Sequence, residues 1–178
     1  MNEVMTFAED LGLSIWYQDT DSMHINYEEV DILAKEFKNK YNRDLIGDEM
    51  GNFHTDFDLD GACGAIYSTE SYFLAKKVYI DKLESVDKNG NTITDDHIRL
   101  KSVPTYCIKH TSNSMNIQPM DMYAHLYRKG KQVKFDLTEN GKNGGFKYER
   151  DMSVRSYEEN EFTRTITFNS EIERIEIN

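Results

Sequence analysis

Apolar and polar residues recur along this chain with two different periods, and the changes of period mark its parts. Over residues 3–11, Val4, Phe7, Ala8 and Leu11 fall at i, i+3, i+4 and i+7, one apolar stripe of a helix. Gly12 follows where a left-handed cap ends a helix. Residues 13–17 then read as a strand and 22–26 as its return, with Gln18 to Asp21 as the turn. Asn26, with Glu29 three residues on, predicts a capping pair. Val30, Leu33, Ala34, Phe37 and Tyr41 continue at helical spacing. The opening is therefore helix, hairpin, helix.

The period changes near residue 52. The segments NFHTDFD, GACGAIYSTES and YFLAKKVYIDKLESV read as extended, and DKNGN at 87–91 contains Asn-Gly, a strong hairpin signal. A third part begins near 97 with HIRLKSVP. It holds a short helix-like piece, MDMYAHLY, then a hairpin around Lys129 and Gly130. NGKNGG at 140–145 reads as a loop, and FTRTITFNSEIERIEIN as strand-like. The expected class is α+β: an antiparallel sheet with helices on one face over 1–96, then a smaller subdomain over 97–178.

At 178 residues the chain is long enough for a real core. Hydrophobic residues make up 38% and charged residues 30%, a globular balance rather than a disordered one. The net charge of -11 argues against simple wrap-around binding of nucleic acid, and leaves room for a local basic patch. Cys63 and Cys107 are the only cysteines and have no zinc-site spacing, so two free thiols in a reducing cytosol are expected. No stretch approaches the roughly 20 apolar residues of a membrane span, and no signal peptide opens the chain.

Asp19 and Asp21 flank one Thr at the predicted hairpin turn. Two carboxylates at ~5 Å repel by roughly 3 kcal/mol at an effective dielectric near 20. A divalent cation removes that cost. Mg²⁺ takes one or two carboxylates and completes its shell with water and substrate phosphates. A rigid hairpin is a suitable mount. Aspartate also favours turns by bonding the nearby backbone, so Asp-x-Asp alone is weak evidence for a metal.

The wider string is more specific. YQDTDS at 17–22 resembles the YxDTDS motif of family B DNA polymerases, the third motif of their palm, and the preceding helix and hairpin match its setting. AKKVYI at 75–80 resembles the KKxY element that follows this motif on a palm strand. The resemblance leans to the protein-primed and viral or organellar branch. IGDEMGNFHTDFD resembles the connecting segment more loosely, and IRLKSVP resembles a K-G-x turn leading to the thumb, with Ser102 where that turn has Gly.

By this resemblance, residues 1–96 are the C-terminal part of a palm and 97–178 a thumb-like subdomain. Asp21 is the acid that binds catalytic Mg²⁺ (Mn²⁺ can substitute), and Asp19 its supporting partner. Tyr17, Thr20 and Ser22 shape and back the turn. Lys77 and Tyr79 contact primer-template DNA, with Lys76 assisting. The implied activity is two-metal nucleotidyl transfer from deoxynucleoside triphosphates in DNA replication. The implied place is the cytoplasm of a bacterial or of a phage- or virus-infected cell.

Two further family motifs do not occur here: DxxSLYPS, which supplies another metal-binding Asp, and KxxxNSxYG, which holds the triphosphate. The DxE exonuclease signature is also missing in a suitable setting. In the family all of these precede YxDTDS, and only eighteen residues precede Asp19 here. The resemblance thus implies a C-terminal portion that works with an N-terminal portion carrying the missing motifs. It also implies that the chain alone is inactive. A terminal protein is a further implied partner in the protein-primed branch; a membrane is not.

Two rival readings remain. One is a non-catalytic DNA-binding or assembly module. The other is a glycosyltransferase with a metal-binding Asp-x-Asp site, which needs a nucleotide-binding half before Asp19 and gives KKVY no role. Among other residues, His24 reads as packed rather than ligating, Trp16 as core, and EFKNKYNR at 36–43 as a solvated helix face. Arg128, Lys129, Lys131 and Lys134 form the densest basic patch, suited equally to duplex backbone and to solubility.

Overall fold

The computed structural model describes residues 1–128, 131–137, 144–148, 151, 153–158, 163–167 and 175–177. Its class is α+β with antiparallel strand pairing, as the alternation of periods predicts. The chain divides into two units, Met1–Thr69 with Leu83–Asp95, and Glu70–Lys82 with Asp96–Asn178. The last change of unit falls between Asp95 and Asp96. Residues 70–82 nevertheless belong with the second unit rather than with the segment around them.

In the first unit, α1 (Asn2–Asp10) buries Val4, Phe7 and Ala8, the stripe read from the sequence. Gly12 adopts φ +73, the left-handed value glycine reaches without a Cβ clash. Strands β1 (Ile15–Asp19) and β2 (Ser22–Ile25) pair antiparallel with Asp19 opposite Ser22, so the turn is tighter than expected, Thr20 and Asp21 alone. Helix α2 (Tyr27–Tyr41) buries Leu33 and Phe37 against α1 residues. Phe7, Phe37 and Tyr41 form a three-ring cluster, with centroids 4.6–6.0 Å apart.

The expected capping pair does not form. Asn26 is the N-cap by position, but its side chain makes no capping bond. Its Oδ1 instead accepts from Trp16 Nε1 at 2.8 Å, and Glu29 Oε2 accepts from the Ser14 backbone N–H at 3.2 Å. Both side chains are diverted from the helix end to tie the hairpin to α2. Trp16, expected in the core, is only half-buried because its indole N–H serves this tie. On the 36–43 face, Lys38 pairs with Asp44, Arg43 pairs with Glu3, and Lys40 sits over the Phe7 ring. These are exposed contacts of the kind worth little individually.

The extended reading of 52–65 is only partly met. That stretch contains one isolated parallel bridge, Ile46 to Phe53, and no strand. The long strands come later: β3 (Tyr67–Ala75), β4 (Val78–Val86) and β5 (Thr92–Leu100). Between β4 and β5 the DKNGN turn forms as predicted. Asp87 accepts from the backbone N–H groups of Asn89 and Asn91, and these bonds hold its carboxyl below the usual carboxylate range.

In the second unit, alternation sorts the strands cleanly. Tyr72, Leu74, Val78, Ile80, Ile98 and Leu100 point to one face and join a core with α3 (Thr105–Met115) and α4 (Pro119–Tyr127). Val133 and Phe135 of β6 (Gln132–Asp136) complete it. Ser71, Phe73, Tyr79, Asp81, His97 and Arg99 occupy the alternate positions and so face the other way. Helix α4 matches the MDMYAHLY piece. Helix α3 was not expected, because Ser, Thr and Asn interrupt the apolar stripe of Cys107 and Ile108. The remaining strands are β7 (Gly144–Tyr148), β8 (Val154–Glu158), β9 (Thr163–Thr167) and β10 (Ile175–Ile177). β6 pairs with β9, β7 with β8, and β10 with β3, giving the sheet order β10-β3-β4-β5. The hairpin tip expected at Lys129–Gly130 and residues 140–143 of the expected loop lie outside the described residues; Gly144 and Gly145 open β7.

Candidate functional site

The β1–β2 turn concentrates unusual geometry on the acidic motif. Thr20 has φ +53, a region where a β-branched residue is an outlier. The Asp21 N–H donates to the Asp19 carbonyl at 2.6 Å, closing a three-residue turn around Thr20. This is the strained, positive-φ kind of γ-turn. Thr20 Oγ1 donates to Asp19 Oδ1 at 3.0 Å, and Ser22 Oγ donates to the Asp19 carbonyl at 3.1 Å. Thr20 and Ser22 therefore shape the turn through their hydroxyls. Tyr17 packs edge-on against His24 at 5.5 Å, and His24 in turn against Phe57 at 6.0 Å, so His24 is packed as expected.

Asp19 is half-buried at the strand end and Asp21 is exposed at the tip. Two carboxylates so placed suit Mg²⁺, which draws its other ligands from phosphate and water. Among the described residues no group of three His, Cys, Asp or Glu side chains is placed to hold a metal ion. Asp56 and Asp58 are exposed.

Because strain at Thr20 costs roughly 1–2 kcal/mol in the left-handed region, Thr20→Gly is expected to raise stability by about 1 kcal/mol. Thermal unfolding of the two proteins side by side checks this; a lower melting temperature in the glycine variant would show that the Thr20 hydroxyl outweighs the strain.

Lys76, Lys77 and Tyr79 belong to the second unit, whereas Asp19 and Asp21 belong to the first. The two lysines are not on a strand. They form the two-residue turn between β3 and β4, and only Tyr79 lies on β4. Lys77 takes φ +60, which closes the hairpin. Its carbonyl accepts from the Lys101 backbone N–H at 3.0 Å, so the turn after β5 is stitched to the lysine turn. Lys76, Lys77 and Lys101 are all exposed and crowd one end of the sheet. Lys101 was missed in the sequence because nothing local places it beside Lys77. Ser102 has φ +67, the conformation glycine supplies most easily, at the position where the resembled turn has Gly.

The Tyr79 ring is held on the face away from the core. It lies nearly parallel to His97 (5.9 Å, 25°) and tilted against Phe73 (5.9 Å, 45°). Two residues along β4, Asp81 is fully buried and accepts from Ser71 Oγ at 2.6 Å. Burial pushes its carboxyl up to about 7 against the opposing pulls of Ser71 and Arg99. Tyr123 donates its hydroxyl to the Arg99 carbonyl at 2.8 Å, and burial raises its pKa well above the usual tyrosine value.

In the 128–134 patch, Arg128, Lys131 and Lys134 are exposed, and Lys129 lies outside the described residues. Arg128 lines a cleft of about 380 Å³ with His125 and Asp121, and no residue of the YQDTDS or KKVY strings lines it. No helix among the described residues is long and apolar enough to cross a membrane. No family model, no curated protein and no solved structure matches this chain.

Proposed function

We propose that this chain is the C-terminal palm and thumb portion of a family B DNA polymerase of the protein-primed or viral or organellar type. The observation that carries the reading is the string YQDTDS placed at the tip of a two-residue hairpin behind a helix, with both acids at the turn. The KKVY turn, with Lys101 joined to it, and the left-handed Ser102 support the reading independently. In this role Asp21 and Asp19 would hold Mg²⁺, or Mn²⁺ in its place. The metal would neutralise phosphate charge and acidify the attacking 3′-hydroxyl. Thr20 and Ser22 would keep the two carboxylates at the tip. Lys76, Lys77 and Tyr79 would hold the primer-template. An N-terminal portion would supply the remaining metal-binding Asp and the triphosphate site. A terminal protein would be the first acceptor in the protein-primed case, and a bacterial or infected-cell cytoplasm the working place.

The purified chain is expected to show no measurable primer extension, and to bind Mn²⁺ only in the millimolar range, an order-of-magnitude figure set by its two carboxylate ligands. Asp21→Asn should weaken that binding more than Asp19→Asn, because Asp21 is the more exposed. Adding a polymerase portion that carries DxxSLYPS and KxxxNSxYG should restore templated synthesis, and Asp21→Asn should abolish it again. Robust synthesis by the chain alone, or Mn²⁺ binding equal in parent and both variants, would sink this assignment.

A further inference from the structure

We infer that Asn89–Gly90 is a deamidation site held shut by Asp87: the turn between β4 and β5 keeps the Gly90 nitrogen from the Asn89 side chain, and opening of the turn releases the reaction. The inference does not depend on the polymerase reading. Asn89 is followed by glycine, whose backbone nitrogen has no side chain beside it to hinder an attack. Asn89, Gly90 and Asn91 are exposed, so water reaches the site. In the reaction the Gly90 nitrogen gives up its proton and bonds to Asn89 Cγ. The Cγ–Nδ2 bond breaks, and Nδ2 leaves as ammonia with that proton. The cyclic imide left behind takes up one water, which opens it at either carbonyl carbon and yields aspartate or isoaspartate.

The closed turn blocks this chemistry at its first step. The Gly90 N–H donates to the Asp87 carbonyl at 3.0 Å, and the Asp87 N–H donates to the Asn91 carbonyl at 2.9 Å. Gly90, at φ +81, is the left-handed residue that returns the chain to β5. A proton committed to a carbonyl is not delivered to solvent base, so the attacking nitrogen stays unreactive until the turn opens. The Asp87 carboxylate bolts the turn from within. Its Oδ1 accepts from the Asn89 N–H at 2.7 Å and from the Asn91 N–H at 2.9 Å. Its Oδ2 accepts from Asn91 Nδ2 at 3.1 Å and from Asn89 Nδ2 at 3.4 Å. The last bond is long and weak. It still draws the Asn89 amide back toward Asp87, whereas the reaction needs that amide over the following residue. The change is one-way: it puts a second carboxylate where Asn89 donates to Asp87, and isoaspartate adds a carbon to the backbone, so the same turn cannot reclose.

The test incubates the full chain at pH 8 and 37 °C and follows Asn89 by peptide mass spectrometry. Fragmentation separates it from Asn91 and from the Asn-Gly pairs at 140–141 and 143–144. The chain unfolded in guanidinium chloride sets the unhindered rate. The folded parent should convert Asn89 at least about tenfold more slowly, because the reaction waits on local opening. Asp87→Ala removes the acceptor of two backbone N–H groups and should quicken conversion about tenfold, toward the unfolded rate. Asp87→Asn keeps an oxygen for those groups and should stay within about threefold of the parent. Hydrogen exchange at the Gly90 amide of the parent reads the same opening without any substitution, and decides the matter if Asp87→Ala does not fold. That amide should be protected, and denaturant below the global transition should raise exchange and deamidation in proportion. Conversion of the folded parent at the unfolded rate, no conversion of Asn89 in the unfolded chain, or an unprotected Gly90 amide would each overturn the inference. So would an Asp87→Ala protein that folds as the parent does and reacts no faster.

Discussion

Replacing Asp81 with Asn should make this protein more stable at pH 8 and leave it nearly unchanged at pH 4. Asp81 lies on β4, the strand between β3 and β5, with no solvent exposure. Desolvation is the largest influence on its carboxyl and lifts it to about 7, while the Ser71 hydroxyl and the Arg99 charge pull the other way. In the unfolded chain the same group titrates near its ordinary value of 3.8. Between these two values the folded protein keeps a proton that the unfolded chain has lost. Stability from this group is therefore fully present below the unfolded value, falls as pH rises through the window, and stays low above about 7. The full span is on the order of 4 kcal/mol.

Asparagine keeps the oxygen that accepts from Ser71 and carries no charge at any pH. The expected gain at pH 8 is about 2 kcal/mol, less than the span because Arg99 loses its partner charge. Urea unfolding of parent and variant at pH 4, 6 and 8 measures this as a difference, in which the other carboxylates cancel. A difference that does not grow with pH would show that Asp81 is ionised in the folded state and held so by its neighbours.

Removing the lysine turn should have the largest effect on nucleic-acid binding. A chain of net charge -11 repels a polyanion in general, so whatever affinity exists must come from local cations. Lys76 and Lys77 sit at a hairpin tip, and the backbone bond between Lys101 and Lys77 adds a third ammonium at the same end. The parent should bind primer-template DNA at roughly micromolar affinity or weaker at physiological salt, with no sequence preference. Each phosphate contact contributes about 0.9 to the slope of log affinity against log salt. The Lys76→Ala/Lys77→Ala protein should thus lose about 1.8 units of slope, and at 0.1 M salt about fiftyfold in affinity. Lys101→Ala alone should remove about 0.9 of a unit. A slope untouched by all three changes would detach the KKVY turn from nucleic acid and leave the polymerase reading resting on YQDTDS. Loss of slope for Lys76 and Lys77 but not Lys101 would confine the site to one turn.

Local pattern was enough where a structure is held by neighbours in sequence. The apolar stripe of α1, the left-handed Gly12, the hairpin carrying Asp19 and Asp21, the buried positions of α2 and the Asp87 turn all follow from residue spacings within a few positions, and all were legible. So was the α+β class, because a change of apolar period does not depend on where the elements end up.

What the sequence alone could not decide are the features made by groups far apart in it. Asn26 and Glu29 have the right spacing for a cap, but Trp16 and Ser14 reach them first, and a side chain can spend its acceptor only once. Lys76 and Lys77 read as strand because nothing in AKKVYI forces a turn; the left-handed Lys77 becomes visible only when β3 and β4 are paired. The position of Lys101 depends on a bond spanning from Lys77 to the far end of β5. Asp81 lies among the apolar residues of β4, and only the burial that the paired strands impose lifts its carboxyl to about 7. The acid pair of this candidate site was written in the sequence. The ring contacts of Tyr79 and the third lysine were decided by the sheet, because strand pairing sets distances that no local preference encodes.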